Sequence, residues 1–98
     1  MGKLNTEQVE VLHKYGLMPI DATILDILNY SGSQYFLEIV KRVGYAASTT
    51  ISLSKLQEQG LVDGPDQKKH NPKKPYTITV EGAKKLKEIS TTKTDSQQ

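Results

Sequence analysis

The stretch from Gly44 to Val62, GYAASTTISLSKLQEQGLV, constrains the fold of this chain more than any other segment. Its first half is rich in hydroxyl side chains, and its apolar residues then follow helical spacing through Leu53 and Leu56. Gly60 ends this predicted helix, and Leu61-Val62 begins a strand. A helix that presents short polar side chains and passes directly into a strand is typical of a helix that recognises another molecule.

Size and composition indicate one domain without disulfides. The 98 residues allow a single modest core. Because the chain contains no cysteine, it has neither a disulfide framework nor a thiolate site. No apolar run approaches the roughly 20 residues that span a bilayer, and the N-terminus lacks the apolar core of a signal peptide. We therefore expect a cytoplasmic protein with no membrane contact.

Positive charge is concentrated towards the C-terminus. Residues 1–67 contain five Lys or Arg against eight Asp or Glu, whereas residues 68–98 contain eight against three. The balance is −3 in the first part and +5 in the second, within a net charge of +2. A basic surface for an anionic partner and a solvated lysine-rich end explain this asymmetry equally well.

Apolar spacing predicts two helices at the N-terminal end. The first runs from Thr6 to Tyr15, and its two apolar stripes fit either one core or a core plus a second subunit. The second runs from Ala22 to about Tyr30 and is apolar on more than half of its circumference, which predicts a central core helix. Asp21 is placed to cap it.

The next two predicted helices form a helix-turn-helix. One, Gln34 to Val43 with Ser33 as its cap, ends at Gly44, and the other begins three or four residues later, at about 47–59. So short a connection containing glycine is typical of this motif. Successive residues of an α-helix are about 100° apart around its axis, and the apolar Leu53 is taken to point inward. The side chains on its outward face are then Ser48, Ile51, Ser52, Lys55 and Glu58.

The remaining segments predict a β-hairpin, a helix and a tail. Leu61–Asp63 and Tyr76–Val80 have the apolar and β-branched character of strands, and the loop 64–75 between them holds three prolines and four lysines. A helix from Val80 to about Ser90 follows, with Val80 on its buried side. Residues 91–98 have no apolar side chain, which predicts disorder. The expected fold class is mainly α with a small β-hairpin.

Two motifs in this order of elements resemble the winged helix-turn-helix family, in particular the small bacterial and archaeal regulators of the MarR and ArsR type. The first motif is Leu53-x-x-Leu56-x-x-x-Gly60-Leu61-Val62, where the recognition helix joins the wing. The second is Tyr76-x-Ile78-Thr79-x-x-Gly82-x-x-x-Leu86, where the second wing strand enters the next helix. Leu and Gly are common, so each motif is weak alone. The pair, in this order and separation, carries the resemblance.

The resemblance implies a role for each segment. Helix 34–43 would cross the DNA backbone, helix 47–59 would enter the major groove, and 64–75 would be the wing tip. Two features depart from the family: the recognition helix presents no Arg, Asn or Gln before Gln57, and the last helix is short for MarR-type dimers. The implied layout is an N-terminal helix and connector with a possible dimer contact at 1–19, the winged helix-turn-helix domain at 20–90, and a disordered tail at 91–98.

The predicted interface combines phosphate contacts with contacts to base edges. Lysines on the wing suit phosphates, hydroxyls near a helix N-terminus suit phosphates or bases, and an outward Ile51 suits thymine methyl groups. The alternatives are a merely solubilising lysine loop, Ser48 as a helix cap, and Ile51 packed under the wing. The predicted DNA-binding residues are Lys41, Arg42, Ser48, Thr50, Ile51, Ser52, Lys55, Lys68, Lys69, His70, Lys73 and Lys74.

These features predict a sequence-specific transcriptional regulator of double-stranded DNA, acting as a homodimeric repressor that occupies a promoter. The two histidines lie in different elements and no metal-ligand spacing occurs, so no catalytic residue, metal site or cofactor is expected. Two alternatives stay open: a non-specific, chromatin-like DNA binder, and a winged-helix protein–protein interaction module. No pattern in the sequence identifies an effector ligand or an operator.

Overall fold

The computed structural model describes residues 6–65 and 74–96, with residues 90–96 described by their backbone alone. Within these ranges, five helices and a two-stranded antiparallel sheet confirm the predicted fold class. In chain order the elements are α1 (Thr6–Lys14), α2 (Pro19–Ser31), α3 (Phe36–Val43), α4 (Ala46–Glu58), β1 (Val62–Asp63), β2 (Thr77–Ile78) and α5 (Val80–Ser96).

Helix α2 lies at the centre of the core, as its apolar circumference predicts. Ile24, Leu25 and Leu28 are fully buried or nearly so. Both apolar stripes of α1 enter the same core, because Leu12 is fully buried and the half-buried Tyr15 packs beside it. The other buried apolar residues come from α2 to α5, from the connector before α2, and from β1 and the residues that precede each strand: Leu17, Ala22, Ile39, Leu53, Leu56, Leu61, Val62, Tyr76, Leu86 and Ile89.

The sheet is shorter than the sequence predicts. Val62 pairs with Ile78 and Asp63 with Thr77, so each strand has two residues rather than the five of the predicted segment 76–80. A further antiparallel backbone pair joins the residue before β2 to the segment before α3: Gln34 and Tyr76 exchange N–H···O bonds of 3.0 and 2.8 Å. This pairing removes Gln34 from α3, which begins at Phe36 instead.

The two motifs that carry the family resemblance bind each other. The Thr79 hydroxyl donates to the Gly60 carbonyl at 2.7 Å, and the Thr79 N–H donates to the Leu61 carbonyl at 3.1 Å. The same hydroxyl accepts the Gly82 N–H at 3.0 Å and so caps α5. Gly82 itself lies against the Leu61 carbonyl, where an added Cβ would be only 2.1 Å from the oxygen. Glycine is therefore required at this position for the wing and α5 to meet.

Two predicted helix boundaries and one predicted buried residue are corrected. Helix α2 begins at Pro19 rather than Ala22, because proline fits the first turn of a helix, where its missing N–H costs no bond. Val80 is 71% exposed and does not join the core, since the first turn of α5 is anchored through Thr79 and Gly82 instead. Helix α5 continues to Ser96, whereas the predicted tail began at residue 91. The packed first part of α5 serves as the helix nucleus, and extending an existing helix is less costly than starting one, so residues after 90 continue it without apolar side chains.

Candidate nucleic-acid interface

A tight turn joins α3 to α4, as predicted for a helix-turn-helix. Gly44 ends α3 in the left-handed conformation with φ 98°, and its N–H donates to the Val40 carbonyl at 2.7 Å. Tyr45 is extended, with φ −136° and ψ 111°, and α4 starts at the next residue. Because glycine takes a positive φ without a steric penalty, Gly44 allows the chain to reverse within two residues.

The buried face of α4 differs from the predicted one by one residue. Leu53 and Leu56 are fully buried, as expected, and so is Thr49, but Ser52 is also only 2% exposed. At about 100° per residue, the centre of the buried arc lies roughly 50° from Leu53 on the side of Ser52. The prediction that Ser52 faces outward to DNA is therefore wrong.

Ser52 and Lys55 are held by a buried carboxyl group on α2. The Ser52 hydroxyl donates to Oδ1 of Asp21, and Lys55 Nζ lies 2.9 Å from Oδ2 of the same residue. Asp21 is fully buried, whereas 30% of the Lys55 side chain remains exposed. The predicted outward placement of Lys55 is wrong as well, because its ammonium group turns towards α2 and is paired within the protein.

Three of the predicted recognition residues do lie on the surface of α4. Ser48 and Thr50 are exposed, and Ile51 is 67% exposed. The Thr50 hydroxyl donates to the Ala46 carbonyl at 3.0 Å, so its lone pairs rather than its proton face solvent. This face offers an apolar side chain suited to methyl groups and a Ser48 hydroxyl that can donate to phosphate oxygens, whereas Thr50 offers only an acceptor.

The cations of α3 lie near the C-terminal end of that helix. Lys41 and Arg42 are both exposed. Arg42 Nη1 donates to the Ser31 hydroxyl at 2.7 Å, which holds the guanidinium beside the end of α2. A guanidinium has five N–H donors, so this single bond leaves donors for a phosphate. Both side chains can therefore serve the phosphate contacts predicted for them.

The hairpin projects from the end of the recognition helix. Gln57 Nε2 donates to the Pro65 carbonyl at 3.0 Å and ties the base of the hairpin to α4. Lys74 is exposed where the chain returns to β2. The remaining predicted wing residues, Lys68, Lys69, His70 and Lys73, lie outside the described residues.

Sequence reasoning missed three residues of this region. Tyr35 and Tyr45 precede α3 and α4 at their N-cap positions and are 45% and 70% exposed, so both rings are available next to the turn. Asp21 was interpreted only as a helix cap, yet it binds two side chains of the recognition helix. Pro19 could have indicated this position of Asp21 from the sequence. Proline favours the first position of a helix, and an acidic residue two positions later then lies inside the first helical turn.

A polar cluster joins the end of α1 to α5. The Tyr15 hydroxyl donates to Glu88 Oε2 at 2.9 Å, and Lys85 Nζ lies 3.5 Å from the centre of the Tyr15 ring. The hydrogen bond to Glu88, together with partial burial and the charge of Glu88, raises the pKa of Tyr15 above its ordinary value of 10.0. This cluster fixes the end of α1 against α5.

Residues 6–65 and 74–96 offer neither a metal site nor a membrane-spanning helix. There, no three His, Cys, Asp or Glu side chains group together in a way that could hold a metal ion. None of the helices described is both long and apolar enough to cross a bilayer.

The arrangement of α2, α3, α4, the hairpin and α5 defines a winged helix. Neither a family model nor a curated protein sequence matches the chain. Solved structures do match. YusO of Bacillus subtilis superposes with a TM-score of 0.79 at 23% identity, over 93% of this chain and 65% of that one.

Two further structures show the same likeness. Sco5413, a MarR family transcriptional regulator from Streptomyces coelicolor, gives a TM-score of 0.72 at 26% identity, over 86% of this chain and 59% of its own. A MepR mutant from S. aureus, solved with an oligodeoxyribonucleotide, gives 0.79 at 13% identity, over 92% and 67%. The chain thus has the winged-helix fold of MarR-family regulators and spans 59 to 65% of the first four matched structures. The ArsR half of the resemblance stays a prediction.

Proposed function

We propose that this protein is a DNA-binding transcriptional regulator that places α4 in the major groove of double-stranded DNA. The observation that carries the proposal is the position of α4, whose exposed Ile51 and hydroxyl groups lie between a tight turn and a hairpin leading into a lysine-rich segment. The likeness to MepR, which was solved with an oligodeoxyribonucleotide, supports DNA as the partner. Ile51 would contact thymine methyl groups and Ser48 the backbone or base edges. Thr50, whose proton is bonded to the Ala46 carbonyl, would accept from amino groups of the bases.

The wing would supply most of the affinity. Lys68, Lys69, Lys73 and Lys74 neutralise phosphates and release counterions, with His70 joining them when protonated. Lys41 and Arg42 add backbone contacts from α3. Because Lys55 is already paired with Asp21, we do not assign it a phosphate contact, in contrast to the prediction from sequence.

We further propose a homodimer that represses transcription by occupying a promoter. Two-fold symmetry would place two α4 helices in successive major grooves, about 34–36 Å apart. The dimer contact at α1 stays a proposal that rests on its position outside the winged-helix segment, because both of its apolar stripes enter the core. Sedimentation of the purified protein tests the subunit number, and a promoter–reporter assay tests the direction of regulation.

The proposal is tested by fluorescence anisotropy with duplexes selected from a random pool. We expect Lys73→Ala/Lys74→Ala to weaken binding to all duplexes and to lower the slope of log affinity against log salt by about 0.9 for each lost phosphate contact. Lys84→Ala/Lys87→Ala on α5 is the matched control, and it should change neither quantity. Absence of binding to any duplex at about 50 mM salt would refute the proposal.

A non-specific, chromatin-like DNA binder is the second candidate. It is favoured by the exposed face of α4, where small hydroxyls and Ile51 replace the Arg, Asn and Gln side chains that form bidentate base contacts. The same titration separates the two functions. A regulator binds its selected duplex about a thousandfold or more tighter than a scrambled one, whereas a non-specific binder shows a steep salt slope and nearly equal affinities.

A further inference from the structure

Asp21 joins three separate parts of the chain at one buried point. Its Oδ2 accepts the Met18 N–H at 2.7 Å, from the connector between α1 and α2. The same oxygen lies 2.9 Å from Lys55 Nζ, and Oδ1 accepts the Ser52 hydroxyl. The side chain is fully buried, so all of its acceptors are directed at protein donors rather than at water.

Two of these donors come from α4 and stand one turn apart. Ser52 and Lys55 are separated by three residues, or about 4.5 Å along the helix axis. Two directional bonds at different heights fix both the rotation of α4 and its position along its axis. The neighbouring apolar contacts of Leu53 and Leu56 are non-directional, so they hold α4 against the core without setting its rotation as sharply.

The rotation of α4 determines where its exposed face lies. Side-chain tips are about 5–6 Å from a helix axis, so a rotation of roughly 20° displaces them by about 2 Å. Such a displacement is enough to break van der Waals contact between Ile51 and a base methyl group, because contact needs about 4 Å or less. The bonds at Asp21 thus control the position of the exposed face of α4, although Asp21 itself is buried.

We propose that Asp21 is a positioning residue for DNA recognition, which rests on the function proposed above. Through Ser52 and Lys55 it sets the rotation and axial position of the recognition helix. By pairing with Lys55, it also withholds that charge from DNA phosphates. Asp21 therefore contributes to sequence discrimination and opposes indiscriminate phosphate binding, although it is buried and does not touch DNA.

The test measures two quantities for each variant: the affinity ratio between a selected and a scrambled duplex, and the salt slope on the scrambled duplex. Ser52→Ala should lower the ratio about tenfold, the value of one lost base contact, and leave the slope unchanged. Lys55→Gln should lower the ratio without lowering the slope. Asp21→Asn should lower the ratio and raise the slope by about 0.9, because Lys55 becomes available to a phosphate.

Matched controls isolate the effect of the cluster. Ser54→Ala makes the same change as Ser52→Ala on the same helix, Glu81→Gln removes an exposed acid from the first turn of α5, and Lys84→Gln removes an exposed lysine from the same helix. Each should leave the ratio and the slope at wild-type values. Circular dichroism at the assay temperature verifies that every variant is folded.

Several results overturn the proposal. A folded Ser52→Ala or Asp21→Asn with the wild-type ratio would make the cluster merely structural. A lower slope with an unchanged ratio for Lys55→Gln would show that Lys55 contacts phosphate directly. If Asp21→Asn does not fold, Ser52→Ala and Lys55→Gln decide the matter. A wild-type protein that binds no duplex, or all duplexes alike, overturns this proposal together with specific regulation, whereas unchanged ratios in the variants overturn this proposal alone.

Discussion

Replacing Gly82 by alanine should destabilise the fold by separating the wing from α5. Gly82 lies in the first turn of α5, where an added Cβ would be 2.1 Å from the Leu61 carbonyl oxygen and 2.8 Å from Ile78 Cγ1. Normal contact between such atoms needs about 3.5 Å. The obstructing oxygen belongs to the backbone of the segment entering β1, so a rotamer change cannot relieve the overlap. The helix must move by about 1 Å or more.

This movement disrupts the two hydrogen bonds that join the motifs and the Thr79 cap of α5. Three bonds are at risk: the Thr79 hydroxyl to Gly60 at 2.7 Å, the Thr79 N–H to Leu61 at 3.1 Å, and the Gly82 N–H to Thr79 at 3.0 Å. Each contributes about 1 kcal/mol net. Alanine recovers about 1 kcal/mol through its higher helix propensity. The expected loss in the free energy of unfolding is therefore about 2 kcal/mol, or about 8–16 °C in Tm for a domain of this size.

Thermal and urea unfolding followed by circular dichroism measure this loss. Glu81→Ala is the matched control, since Glu81 is exposed in the same turn of α5 and its truncation should change stability by less than about 0.5 kcal/mol. A Gly82→Ala protein as stable as the wild type, or more stable by the propensity gain alone, would refute the reasoning. It would show that the close approach of Gly82 to Leu61 does not occur in solution.

Two further predictions concern the exposed face of α4 and the α1–α5 cluster. Replacing thymine by uracil at a contacted base of a selected duplex should weaken binding of the wild type by about fivefold or more. Ile51→Ala should lose this sensitivity to the thymine methyl group, whereas Val80→Ala on α5 should keep it. Equal sensitivity in Ile51→Ala would contradict the methyl contact. The raised pKa of Tyr15 means that the folded state favours the protonated hydroxyl, which donates to Glu88. The contribution of this hydrogen bond to stability is therefore complete below pH 10.0 and is lost as the pH rises above that value. The Tm of the wild type should therefore fall more steeply than that of Tyr15→Phe as the pH rises above 10.0, with Tyr30→Phe behaving as the wild type. Parallel profiles for the wild type and Tyr15→Phe would contradict the assignment.

Much of the fold could be predicted because strongly periodic segments leave few choices. The central position of α2 follows from its apolar circumference, and the helix-turn-helix follows from Gly44 between two amphipathic segments. The paired motifs also had a local basis. Gly60 and Leu61 supply carbonyl acceptors, Thr79 supplies the donors, and Gly82 supplies the space between them.

The orientation of single polar residues on α4 could not be predicted in the same way. Serine is small and forms a hydrogen bond as readily inside a protein as on its surface, so periodicity does not distinguish the two positions. What places Ser52 inside is the carboxyl group of Asp21, 31 residues earlier in the chain. Lys55 follows the same partner. A tertiary contact of this kind leaves no signal in the local pattern, and an error of roughly 50° in helix rotation was sufficient to misplace both.

These corrections change how the work of binding is divided within the proposed interface. The single lysine of α4 is neutralised by Asp21, and the exposed residues of that helix are uncharged around Ile51. Phosphate attraction must then come from Lys41, Arg42 and the lysine-rich segment between the strands, while discrimination between bases must come from α4. Since charge contacts set the salt slope and base contacts set the affinity ratio, the two should vary independently in variants of this protein. Lys55→Gln is the decisive variant, because it removes a positive charge from the recognition helix and yet should alter only the ratio.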